Sequence, residues 1–413
     1  MIEMVRQPGW CPNPCQELLL QACLLDGRSA EVALGRWVEQ LGEAPLDRGS
    51  ERLLPLLWHR QRERVPPMAP GRNPKSLYLR TWKDNQLLLA RSRAVLEALT
   101  QAAIPVMLIK GLALSFEAYR TLGARPMADL DLVVPFPLVS QALEVLGRKG
   151  WLASPTPLGG TGSALAATLP WLQEPRPARS FDQAYLLTRH GHGFRKEEGL
   201  EIDLHWFLFQ GQCDPGVDDR PWQAARPLQE PVRWGLEGPG ELLVIPSAAD
   251  HLLLLLSHGA RWNPVPPIRW IADAVTLVRA TPDLDWDRFL AETLRRRSIL
   301  PVREMLAYLQ QSFELQLPAW VLSSLQAAPV ADRERRSYRL AVSPPGAGSA
   351  VAELRYLGRR HRRLRGDLPH GAPCQDFTQF VTHVLGAPDA KALTGYAGRE
   401  LMRRWACRFQ SSG

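Results

Sequence analysis

Helical spacing dominates the first sixty-odd positions of the chain: "CQELLLQACLL", "EVALGRWVEQL" and "SERLLPLLWHRQRERV" repeat apolar residues at intervals of three and four. The proline-rich "PPMAPGRNP" at 66–74 breaks this run, and "SLYLRTWKDNQLLLARSRAVLEALTQAA" then predicts a long amphipathic helix. At 104–111 the pattern changes. "IPVMLIKG" is a short continuous apolar run ending in Lys-Gly, which predicts a buried strand entering a loop. "LALSFEAYRTLG" returns to helical spacing, "RPMADLDLVVP" predicts a second strand, and "PLVSQALEVLGRKGW" another helix. Residues 154–180 are rich in Pro, Gly, Ser and Ala and read as an insertion. After them, "YLLTRHGHGFRKEEGLEIDLHWFLF" has the form of a β-hairpin turning at Lys196-Glu197-Glu198-Gly199. From about 240 onward helical patterns resume.

The prediction is therefore an α+β (mixed α/β) protein. A small mixed sheet with flanking helices occupies 76–235, with a helical region over 1–75 before it and a helical domain over 236–413 after it. A chain of 413 residues can bury more than one core, and 45% hydrophobic with 22% charged residues is ordinary for a folded protein. No apolar stretch approaches a membrane span, and the N-terminus lacks the pattern of a secretory signal, so a cytoplasmic location without membrane attachment is the expectation. The six cysteines share no ligand spacing; "CPNPC" reads best as a helix start, with Asn13 as cap, Pro14 in the first position and Gln16 closing a capping box. The net charge of +8 makes anionic partners plausible.

Candidate chemistry concentrates in the middle. Residues two apart on a strand share a face, so Asp129 and Asp131 stand together while Leu130 and Leu132 pack inward. Paired carboxylates at the edge of a core repel one another unless solvated or bridged by a cation. The later strand "LEIDLHW" aligns Glu201, Asp203 and His205 in the same manner and could complete a three-acid cluster able to hold two metal ions. Gly111, ending the first strand, would let backbone approach a phosphate, and Lys110 and Arg125 would bring positive charge to it.

"VMLIKGLAL…RPMADLDLVV" followed by "LEIDLHW" resembles the uncharacterised nucleotidyltransferase family of the DNA polymerase β-like nucleotidyltransferase superfamily. The resemblance spans about 80–210 and extends more loosely into the helices on both sides. It implies that Asp129 and Asp131 ligate both metals, that Asp203 is the third carboxylate and general base, and that Gly111 marks the nucleotide loop. Lys110 and Arg125 would then lie over the triphosphate. Two Mg2+ ions are implied, with Mn2+ as an alternative, and the reaction is transfer of an NMP group from a nucleoside triphosphate with release of pyrophosphate. ATP is the default donor and the acceptor is undefined. One departure is that Gly111 is followed by Leu112, where many members of the superfamily carry Gly-Ser or Gly-Gly.

Other features are secondary. His205 and Glu201 could orient Asp203 or touch the acceptor. His190 and His192, on the preceding strand, could border the pocket, although an incidental strand face explains them as well. His251, His258 and Arg261 could line the acceptor side of a helix, a structural role being the simpler reading. The arginine-dense "RYLGRRHRRLRG" at 355–366 reads first as a solvated helix face and second as a nucleic-acid contact. Two alternatives stand beside the transferase: a D-x-D nucleotide-sugar glycosyltransferase, and a non-catalytic module on a transferase-like fold.

Overall fold

The computed structural model describes residues 9–41, 45–66, 68, 72–154, 176–177, 181, 183–196, 199–209, 215–229, 242–263, 268–342, 350–365, 376–385, 387, 389–392 and 394–395. The "CPNPC" segment starts a helix. Gln16 donates its backbone N–H to Asn13 Oδ1 at 2.8 Å, Asn13 N–H donates to Gln16 Oε1 at 2.9 Å, and Pro14 opens α1 (Pro14–Leu24). Three further helices follow, α2 (Gly27–Gln40), α3 (Arg48–Glu51) and α4 (Leu54–Gln61). Asn73 then caps the long α5 (Pro74–Gln101), taking the Ser76 N–H at 3.2 Å.

The central region alternates strands and helices: β1 (Val106–Leu108), α6 (Lys110–Glu117), β2 (Leu130–Val133), α7 (Val139–Arg148), β3 (Leu152–Ala153) and β4 (Arg176–Pro177). It continues with α8 (Gln183–Thr188), β5 (Gly191–Arg195), β6 (Glu201–His205), α9 (Pro215–Gln223), β7 (Arg226–Pro227) and β8 (Leu243–Ile245). Apart from β4 and Ser154, the expected insertion at 154–180 lies outside the described residues, as do Glu197 and Glu198 of the hairpin turn. The hairpin itself is present: β5 and β6 pair antiparallel, and Gly199, at φ 76°, supplies the left-handed residue that the turn needs.

One mixed sheet results, ordered β4-β3-β5-β6-β2-β1-β8-β7. At its centre β2 lies parallel to β6 and antiparallel to β1, and β1 lies parallel to β8. Alternation sorts the two faces. Leu108, Leu130, Leu132, Phe194, Ile202 and Leu204 point into a core shared with α5 and α7. Met107 and Val133 point the other way, into a second core with the helices that follow the sheet.

Those helices are α10 (Ala248–Gly259), α11 (Arg269–Ala280), α12 (Trp286–Arg295), α13 (Ile299–Phe313) and α14 (Ala319–Ala327), with α15 (Asp332–Ala341), α16 (Ala350–Arg365) and α17 (Phe377–Val384) after them. Leu252–Leu256 of α10 are all buried, as a helix apolar on every side must be. Each such leucine contributes about 1.5–3 kcal/mol relative to exposure. The N-terminal helices join this same core, Leu19, Leu20 and Trp37 packing in one cluster with Ile271, Val275, Leu306 and Leu309. The fold is α+β, and no described helix is long and apolar enough to cross a membrane.

Candidate metal centre

Parallel pairing of β2 with β6 sets the site. Asp131 lies in register with Asp203, and Val133 with His205, while Leu130 and Leu132 match Ile202 and Leu204 on the opposite face. One side of two adjacent strands is thereby greasy and the other carries two carboxylates and an imidazole. Ligand atoms of Asp131, Asp203 and His205 all lie within 4.8 Å of one another, close enough to share one cation. His205 Nε2 is 3.3 Å from Asp131 Oδ1, and its Nδ1 is buried without a hydrogen-bond partner. Asp129, just before β2, is outside this tight group, although the charges of Asp131 and Asp203 reach it.

The neighbouring strand is shaped to leave room. Gly193 sits opposite Asp203 and Gly191 opposite His205. A Cβ at 193 would stand 3.0 Å from Asp203 Oδ1, and one at 191 would stand 2.9 Å from His205 Nδ1. The glycines of "RHGHG" therefore clear space for the carboxylate and the imidazole, a signal that strand glycines give and that the sequence reading did not use.

Lys110 closes the site from β1. Its ammonium lies 2.6 Å from Asp131 Oδ1. Its backbone is in the left-handed region at φ 47°, a conformation that costs a β-carbon residue about 1 kcal/mol or more. The Lys110 N–H donates to His251 Nε2 at 3.1 Å, which ties this strained junction to α10. Burial above all holds the His251 imidazole down to about 3, so it accepts as the neutral ring. His251 is thus a positioning group for the Lys110 backbone.

Electrostatics separates the two aspartates. Burial would raise the Asp131 carboxyl, but the Lys110 ammonium and then His205 outweigh it and hold the group well below the usual carboxylate range. Asp129 goes the other way, to about 6, first through burial and next through Asp131 and Asp203, with Lys110 and Arg269 opposing. One member of the D-x-D pair is firmly ionised and the other titrates near neutrality.

Arg125 binds another helix, although the charge of Asp131 reaches it. Fully buried, it forms a two-pronged pair with Asp273 of α11, Nε to Oδ1 at 2.8 Å and Nη2 to Oδ2 at 2.9 Å. Tyr119 also donates to Asp273 Oδ1 at 2.9 Å, and Asn85 Nδ2 donates to the Arg125 carbonyl at 2.8 Å. The guanidinium fastens the loop before β2 to α11. Gly111 lies beneath it: a Cβ there would be 2.7 Å from Met127 Sδ and 3.1 Å from Arg125 Nη1.

Arg52 and Arg269 are the cations that the sequence reading missed. Both are half-buried; the charge of Asp129 reaches Arg52, that of Arg52 reaches Arg269, and that of Arg269 reaches Asp129. Arg269 Nη1 donates to the Pro126 carbonyl at 2.7 Å. Burial and then the nearby Arg125 and Arg52 charges push Arg269 down to about 9, so this corner carries more positive charge than Asp129 and Asp273 balance. His190 packs against His205 at 5.1 Å between ring centroids. His190 is held well below the ordinary imidazole range by desolvation first, and then by neighbouring groups that include His205, Arg261 and Lys110.

Two candidates fall away from the cluster. His192 is in register with Leu204, on the opposite face, where Tyr185 Oη at 2.6 Å and the Ser154 carbonyl at 3.0 Å engage its ring. Glu201 is exposed at the far end of β6, opposite Arg195.

A parallel strand pair presenting Asp131, Asp203 and His205 beneath a lysine, with arginines alongside, defines a candidate metal centre on an α+β scaffold. The sequence model of an uncharacterised nucleotidyltransferase family matches residues 49–314, a span that runs from α3 to just beyond α13, and the chain belongs to that family. No curated protein and no solved structure matches the chain.

Proposed function

We propose that the protein is a divalent-metal-dependent nucleotidyltransferase that moves an NMP group from a nucleoside triphosphate to an acceptor hydroxyl and releases pyrophosphate. The observation that carries this reading is the in-register Asp131–Asp203 pair with His205, under Lys110, in a member of a nucleotidyltransferase family. The donor set suits a divalent cation. Two carboxylates converge with an imidazole, and the Lys110 ammonium already occupies a cationic position against Asp131. Asp131 and Asp203 would hold the ion, with His205 beside them, and Asp129 would join as its proton leaves. Oxygen-rich ligation favours Mg2+ or Mn2+.

A bound cation would polarise the phosphate oxygens and neutralise charge as the leaving group departs. The chain's own residues do the rest. Lys110 turns from Asp131 to a phosphate oxygen, and Arg52 and Arg269 neutralise the remaining triphosphate charge from the side of Asp129. Asp203 takes the proton of the acceptor hydroxyl. Arg125 positions rather than binds, because both its prongs are engaged by Asp273. Catalysis of this kind is mostly placement and charge compensation.

One observation favours a second reading, a non-catalytic module. The Lys110–Asp131 contact at 2.6 Å compensates the carboxylate without any metal. A thermal-shift panel of the four nucleoside triphosphates, each with and without Mg2+ or Mn2+, separates the two. Stabilisation that needs both nucleotide and metal, and that is lost in Asp131→Asn and Asp203→Asn, is the expected result. Stabilisation by nucleotide alone, unchanged in both variants, supports the module. No stabilisation by any triphosphate overturns the transferase.

A further inference from the structure

We infer that Asn85 of α5 is a positioning residue for triphosphate binding: its carboxamide fixes the loop against which the cationic side of the candidate site rests. The inference depends on the transferase reading and deepens it. Residues 118–129, between α6 and β2, form no helix or strand, yet they lead straight into Asp131. Asn85 supplies the bonds that a ladder would otherwise give. Its Nδ2 donates to the Leu122 carbonyl at 2.7 Å and to the Arg125 carbonyl at 2.8 Å, and its Oδ1 accepts the Met127 N–H at 3.2 Å. A carboxamide carries two N–H donors and one carbonyl oxygen in a single plane, and here all of them serve one loop. Asn85 is fully buried, so it acts through the loop and not on a ligand. Asparagine is a poor residue for a helix interior, where its amide competes with the backbone, so helix formation gives no reason for one inside α5.

The loop carries more than the entry to β2. Met127, held at its N–H by Asn85, lays its side chain against Gly111, where a Cβ would meet Met127 Sδ at 2.7 Å. Lys110 is the residue before that glycine. Pro126 offers its carbonyl to Arg269 Nη1 at 2.7 Å. Arg269 and the Lys110–Gly111 junction therefore both rest on Pro126 and Met127, the stretch that Asn85 pins. The metal ligands are placed differently. Asp131, Asp203 and His205 stand on β2 and β6, whose parallel pairing sets them in register. The helix that bears Asn85 is itself anchored, because Leu88, Leu89, Leu96 and Leu99 share a core with Leu130 and Leu132. Asn85 thus passes the position of a core helix to the triphosphate side of the site and leaves the metal side to the sheet.

Two titrations of the full chain, made well below the denaturation midpoint, test this. Calorimetry follows each of the four nucleoside triphosphates at saturating Mn2+, and electron paramagnetic resonance follows Mn2+ alone. Asn85→Leu keeps the shape of the side chain and removes every bond to the loop. It should weaken triphosphate binding about tenfold or more, since a displacement of about 1 Å is enough for such a loss, and should leave binding of Mn2+ alone unchanged. Leu89→Ala opens a cavity on the same helix without touching the loop. It should lower the denaturation midpoint and leave triphosphate affinity as it is. If Asn85→Leu does not fold, Asn85→Gln, with the same donors and acceptor on an arm one methylene longer, shifts the loop without orphaning it and gives the same comparison. Native triphosphate affinity in the Asn85 variants, an equal loss in Leu89→Ala, or a parallel loss of Mn2+ binding overturns the inference. If the native chain binds no triphosphate with Mn2+, the transferase reading falls and takes the inference with it.

Discussion

Two buried ion pairs, Arg125–Asp273 just before the D-x-D pair and Lys110–Asp131 within it, differ in nearly everything but distance. Arg125 and Asp273 meet at 2.8 Å, and Lys110 and Asp131 at 2.6 Å. Around the first pair the geometry is closed: both prongs of the guanidinium are used, Tyr119 covers the carboxylate, and both partners are as good as buried. Around the second it is open. Asp203 and His205 converge on the same carboxylate, the lysine backbone is strained at φ 47°, and Asp129 beside it titrates near 6. A closed pair is fastened once and serves the fold. An open pair, with converging acids and a part-exposed ammonium, is arranged for a charged visitor.

The largest expected effect breaks the closed pair. Arg125→Ala leaves Asp273 buried and uncompensated, and should cost about 3–5 kcal/mol in a denaturation experiment. Arg125→Lys should recover only part of this, because an ammonium cannot reproduce the two-pronged contact. If Arg125→Ala unfolds no more readily than the native chain yet abolishes nucleotide binding, Arg125 belongs to the triphosphate after all and the contrast between the pairs collapses.

Next comes the open pair. Asp131→Asn should reduce metal-dependent triphosphate affinity about 100-fold, equivalent to ~2.7 kcal/mol, read by titration calorimetry with Mg2+ or Mn2+. Its effect on stability should be smaller than that of Arg125→Ala, because Lys110 is part-exposed and can turn to water. Equal losses of stability in the two variants would mean that Lys110–Asp131 is merely a second structural pair.

Asp129 sharpens the comparison through pH. Its folded carboxyl titrates at about 6 against an ordinary 3.8, so the folded state binds this proton more tightly than the unfolded chain. The penalty of an ionised Asp129 is fully present above pH 6, and it is relieved as pH falls toward 3.8. In metal-free protein, Asp129→Asn should therefore raise stability by about 1–2 kcal/mol at slightly alkaline pH, a figure discounted for the group's partial exposure. The gain should fade on acidification and shrink when metal is added. A flat difference across pH would remove Asp129 from the charged cluster.

What the sequence disclosed and what it withheld follow the same division. The elements of the open pair are local: Lys-Gly after an apolar run, D-x-D before one, and "EIDLH" in a hairpin all announce themselves within a few residues. The closed pair joins positions 125 and 273, and the basic corner joins 52 with 269, so no window contains either. A faint signal for the first does exist. Asp273 is a lone acid in "WIADAVTLV", and an unpaired carboxylate on an apolar helix face demands a partner from elsewhere. Naming that partner needed the fold. The separation of His192 from His190 was likewise hidden: residues two apart share a face only within a strand, and β5 begins at Gly191, so His190 lies in the bend before it and turns to His205 while His192 faces the other way.

The smallest expected effect is also the most discriminating. Gly193 is a strand residue outside the left-handed region, so alanine there is conformationally acceptable and should stabilise the chain by about 0.4–1 kcal/mol through the unfolded state. Its new Cβ, however, would stand 3.0 Å from Asp203 Oδ1, tighter than ordinary contact, and the carboxylate must shift by a few tenths of an ångström. If Asp203 helps hold the cation, Gly193→Ala should weaken metal-dependent nucleotide binding severalfold while leaving the denaturation midpoint unchanged or higher. Stability and binding then move in opposite directions at one methyl group. That split is what a glycine kept for the site, rather than for the strand, must produce; if binding is unaffected, Asp203 does not hold the cation and the centre reduces to Asp131 with its lysine.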